Sequence, residues 1–66
     1  MAIGQVVFYL SDKGYGYIRL ADTREEFHFR RKHLLEPVHA GSWVQFELRQ
    51  NKQGWFADAI RLLDRT

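Results

Sequence analysis

Few side chains in this 66-residue chain are equipped for covalent chemistry. Serine occurs only at Ser11 and Ser42, cysteine is absent, and no histidine–acid arrangement suggests a nucleophile. His28, His33 and His39 share no metal-ligand spacing, and without thiolates a zinc site would need carboxylates from elsewhere. Gly14 and Gly16 lack the third glycine and the following helix of a nucleotide fingerprint. We therefore expect no enzyme, no metal and no cofactor. The remaining chemistry is non-covalent. The run DKGYGYI, residues 12–18, sets Tyr15 and Tyr17 on alternate positions behind a turn and Lys13. Such rings either pack across strands or form a platform for something flat, such as a nucleic-acid base.

Strands must position these rings, because the dominant hydrophobic period is two. Gln5–Leu10 is β-branched and aromatic, Asp12-Lys13-Gly14 is a turn signal, and Tyr15–Leu20 follows. Glu25–Phe29 reads as a short third strand, Ser42–Leu48 as a fourth, and Trp55–Leu62 as the last, after a hairpin-like loop over Asn51–Gly54. Arg30–Glu36 is the one stretch able to coil, and Pro37 limits it to a turn or two. This pattern predicts an all-β fold: a small five-stranded antiparallel barrel of the OB type with one short helical turn, closed on itself to remove its edges.

Length allows a single domain over residues 1–66, possessing one small core or serving as a module of a longer protein. At 45% hydrophobic and 15% aromatic the chain is not of disordered composition. Its formal charge of +2 and pI near 9.3 are mildly basic, weaker than expected of a protein gripping duplex DNA by charge alone. No apolar run approaches a membrane span, Met1-Ala2-Ile3 is no signal peptide, and the lack of cysteine suits a reducing compartment. We expect a soluble, cytoplasmic protein with no membrane contact from this segment.

If Ile18 and Leu20 point inward, period two sends Tyr15 and Tyr17 outward. In the first strand Val6 and Phe8 share one face and Val7 and Tyr9 the other; both are apolar, so period alone does not choose. Phe27 is the natural core residue of strand three, leaving Glu26 and His28 outside, while Phe29 at the strand end can turn either way. The expected outer face carries Tyr15, Tyr17 and His28, with Phe8 and Phe29 as neighbours. Clustered surface aromatics mark binding sites.

With these residues in view, the chain resembles the bacterial cold-shock domain from about Gly4 to Ile60. Gly4–Tyr9 is similar to that family's first strand, and Lys13-Gly14-Tyr15-Gly16-Tyr17-Ile18 to its first ribonucleoprotein motif. Phe27-His28-Phe29 is similar to the end of the second motif, and Gly41, Val44 and Phe46 to the lead into strand four. A related motif occurs in RRM domains, but those need two full helices for which this chain has no room. The resemblance implies an OB-fold barrel that binds single-stranded RNA or DNA. It implies base-stacking roles for Phe8, Tyr15, Tyr17, His28 and Phe29, and a phosphate or base-edge contact for Lys13.

The sequence also departs from that family. Val7 stands where the family has a lysine, Glu26 where a stacking aromatic is expected, and Trp55 where a proline follows the glycine. The connection between strands three and four is short and lacks an aromatic. Arg30, Arg31 and Lys32 replace a small, neutral stretch. They are either a solvated basic turn or a relocated phosphate contact that compensates for Val7 and Glu26. Two functions stay open: a single-stranded nucleic-acid binder, or a barrel that has turned its aromatic face, with Trp43 or Trp55, toward a protein partner.

Overall fold

In the computed structural model, which describes residues 1–63, alternating apolar residues form five strands. They are β1 (Ala2–Leu10), β2 (Tyr15–Leu20), β3 (Glu26–Arg30), β4 (Trp43–Asn51) and β5 (Gly54–Leu62), with a 3-10 turn at Arg31–His33. The strands close into an OB-like barrel in the order β1-β2-β3-β5-β4. Every neighbouring pair is antiparallel except β3 and β5, which run parallel. The small five-stranded barrel is as expected, and its antiparallel pairing holds at every contact but this one. A closed ring with an odd number of strands cannot alternate direction throughout, so one contact must be parallel.

The helical turn is shorter than Arg30–Glu36. Leu34 leaves it extended, at φ −85° and ψ 129°, and bridges Ile60. The Leu35 N–H donates to the Ile60 carbonyl at 2.8 Å, so the chain is drawn onto β5 before a second turn can form.

Two bulges decide which side chains face inward. On β1 the pairing with β2 jumps from Val6↔Ile18 to Phe8↔Tyr17, adding one residue on the β1 side. Val6 is therefore buried, and Phe8, two residues on, faces the outer surface beside the tyrosines. On β5 the extra residue lies between Asp58 and Arg61, opposite Gln45–Glu47. Ala59 takes a positive φ of 50° there, and Ala57 and Ile60, three apart, are both fully buried. The core that results joins Val6, Ile18, Phe29, Val44, Phe46, Ala57 and Ile60, with Val38 at its margin. Among the described residues no buried side-chain nitrogen or oxygen lacks a hydrogen-bond partner. No helix among them is long and apolar enough to cross a membrane.

Candidate functional site

The opening motif divides its labour by parity. Ile18 points into the core, while Tyr15 and Tyr17 stand half-buried on the outer face of β2. The glycine between them faces inward and lies against the next strand's ring. A Cβ built on Gly16 would meet the Phe8 carbonyl and come 2.8 Å from Cζ of Phe29. Glycine is required there so that the Phe29 ring can fill the space beneath the two tyrosines.

Phe29 itself corrects the sequence reading. It is 0% exposed and stacks on Tyr9 with ring centroids 5.6 Å apart, so it supports the platform from below and offers no face to a ligand. The cause is strict alternation on β3: Phe27 and Phe29 face inward, and Glu26, His28 and Arg30 outward. The twist at the strand end does not reach Phe29.

The remaining expected rings do meet. Phe8 lies edge-on to Tyr15 at 6.2 Å and tilted to Tyr17 at 5.4 Å. His28 stands 6.1 Å from Tyr15 and 5.5 Å from Tyr17. These separations fall within the favourable range for aromatic pairs, each worth about 0.5–1.5 kcal/mol beyond area burial. Phe8, Tyr15, Tyr17 and His28 thus form one contiguous, half-buried ring surface over β1, β2 and β3.

Cations border this surface unequally. Lys13 in the β1–β2 turn, Arg30 at the end of β3 and Lys32 in the 3-10 turn are exposed, and none makes an ion pair among the described residues. Arg31 differs. Its Nε–H donates to the Tyr9 hydroxyl at 3.3 Å and its Nη2 to the Ser11 carbonyl. Its backbone N–H also donates to the Gly14 carbonyl at 2.9 Å. Arg31 clips the end of β3 to the β1–β2 turn, so its first task is to hold Lys13 and Tyr15 in place; the basic run is scaffold in one member and free charge in the other two. The acid on the outer face of β3, Glu26, is paired with Arg19 at 3.2 Å, both side chains about half exposed.

His28 is held below the ordinary histidine pKa by burial among the rings and, secondarily, by the Arg30 charge. Burial also lowers His33; Asp58 pulls the other way, and Lys32, His28 and Arg30 add to the lowering. Both shifts favour the uncharged imidazole, which presents a flat aromatic surface.

No family model matches the chain, and no curated protein does either.

Two further rings lie beside the site. Phe56 on β5 stacks on His33 at 4.8 Å, and both border a groove shared with His28, Arg30, Lys32 and Gln53. Neither stood out in the sequence. Alternation from the buried Ala57 does place Phe56 on the outer face, but only the β3–β5 contact brings it next to His28. Trp55, 55% exposed at the start of β5, lines an adjoining groove with His28, Arg30 and Phe56, whereas Trp43 is half-buried on β4.

Proposed function

We propose that this barrel is a binding module for single-stranded nucleic acid, without enzymatic activity, and that it stacks unpaired bases on Phe8, Tyr15, Tyr17 and His28. The observation that carries this reading is the contiguous outer ring surface bordered by the exposed cations Lys13, Arg30 and Lys32. Stacking on an aromatic is worth about 1–3 kcal/mol per base and asks little of sequence, and cations along the rim meet the phosphates. The resemblance to cold-shock domains points the same way, as does a closed OB-like barrel. A cytoplasmic setting, where single-stranded RNA is abundant and thiols are reduced, fits a cysteine-free chain.

An amide chemical-shift titration with a short pyrimidine-rich DNA strand and its RNA equivalent tests the reading. Shifts are expected at Phe8, Lys13–Tyr17, His28 and Arg30. Affinity should fall with salt at a log-log slope of about −0.7 for each phosphate neutralised. Absence of shifts at high oligonucleotide concentration would reject nucleic acid and turn the aromatic face toward a protein partner.

Glu26 limits the site. It lies on the outer face of β3 two residues before His28, and its partner Arg19 is its register neighbour on β2. Glu26→Phe supplies a fifth ring, deletes a charge that repels phosphate and releases Arg19. The expected result is about tenfold tighter binding of a short strand, with Glu26→Gln giving a smaller gain from charge removal alone. Unchanged affinity in both variants would mean that the strand does not pass this part of β3.

A further inference from the structure

Phe8, Tyr17, His28 and Phe56 are successive register partners across four neighbouring strands. Phe8 pairs with Tyr17, Tyr17 with His28, and His28 with Phe56 through the parallel β3–β5 contact. All four face outward, so they form a single row perpendicular to the strands. With neighbouring strands ~4.8 Å apart, the row is about 14 Å long.

We propose that the single-strand track does not end at β3 but continues along this row to Phe56, where the His33–Phe56 stack takes one further unpaired nucleotide. The inference rests on the single-strand reading above and extends it to β5. Three features of the groove fit a nucleotide. The Phe56 ring is backed by His33 at 4.8 Å, which holds it flat, and His33 is itself fixed by accepting the Arg30 backbone N–H at Nδ1, 3.0 Å. Arg30 and Lys32 line the groove as cations with no ion pair among the described residues, suited to the phosphates on either side. Asn51 and Gln53 bring amide side chains to its wall, able to donate to and accept from a base edge. The Asn51 Oδ1 accepts the Gln53 backbone N–H at 2.8 Å, which orients that wall.

Fluorescence anisotropy with labelled oligothymidylates of two to eight nucleotides separates this inference from the reading beneath it. Phe56→Leu keeps apolar bulk against His33 but removes the stacking face. It should weaken strands long enough to reach β5 by about tenfold and leave the shortest strands unchanged. Lys32→Ala, an exposed change, should reduce the salt slope by about 0.7 for the long strands only. Tyr17→Leu should weaken every length. If Tyr17→Leu weakens binding while Phe56→Leu and Lys32→Ala do nothing at any length, the track stops at His28 and the inference falls alone. An equal loss at every length in Phe56→Leu also overturns it, because Phe56 would then act through the fold. If the unaltered protein binds no strand of any length, both readings fall together.

Discussion

Gly16→Ala unfolds the domain or brings it close to unfolding. The added methyl has nowhere to go. On one side is the Phe8 carbonyl, a backbone atom held by the β1–β2 ladder; on the other is the Phe29 ring, 2.8 Å away and fully buried. Phe29 has no room to retreat, because its ring is fully buried in the core and stacked on Tyr9, whose hydroxyl is held by Arg31. Overpacking of this kind costs about 3 kcal/mol, and a single core in a chain this small supplies only about 3–5 kcal/mol in all. A thermal melt followed by circular dichroism should show the midpoint lowered by about 12–24 °C. A midpoint within a few degrees of the unaltered protein would mean that β2 sits farther from Phe29 than described. The result bears on function, since the same close approach is what leaves Tyr15 and Tyr17 raised on the outer surface.

Tyr17→Leu has the opposite signature: binding is lost and the fold is kept. Tyr17 occupies the middle of the ring surface, with Phe8 at 5.4 Å on one side and His28 at 5.5 Å on the other. Leucine preserves apolar cover over β2 but offers no π-face, so the base above it loses its stack. The expected cost is about 1–3 kcal/mol in single-strand affinity, a loss of roughly 5- to 150-fold, with a melting midpoint lowered by no more than about 8 °C. Tyr17→Phe should restore most of the affinity, which isolates the ring from its hydroxyl. Unaltered affinity in Tyr17→Leu would remove the central residue of the proposed platform and favour a protein ligand for this face. A collapse of stability without any specific binding loss would make Tyr17 a packing residue.

Much of this architecture was legible in residue order. The bounds of β2 follow directly from the turn at Asp12–Gly14 and the alternation that begins at Tyr15. Strands β1, β4 and β5 extend beyond their predicted ends by one to three residues, because strand pairing recruits backbone that is not itself strongly apolar, such as Arg49-Gln50-Asn51 in the β4–β5 hairpin. The one short helical turn falls within the stretch able to coil, at Arg31–His33. Leu34 and Leu35 have good helix propensity, but the hydrogen bond to Ile60 and the bridge onto β5 outweigh it. Closing five strands into a ring requires at least one parallel contact, but only the tertiary structure decided that it falls between β3 and β5.

By itself, then, the sequence determined the strands, their alternation and the outward pair Tyr15 and Tyr17 with His28 beside them. Period-two patterning is local: each side chain's face is set by its immediate neighbours and the need to bury Ile18 and Phe27. The tertiary structure alone decided the rest of the site. A bulge on β1 turned Phe8 outward where simple alternation would have paired it with the buried Val6. Packing under Gly16 claimed Phe29 for the core, and the clip to Ser11 and Tyr9 claimed Arg31 for the scaffold. Closure of the barrel carried Phe56 beside His28, a neighbour 28 positions away in the chain. An inserted residue inverts the parity of everything after it, and ring closure joins strands distant in sequence; neither leaves a mark in local periodicity.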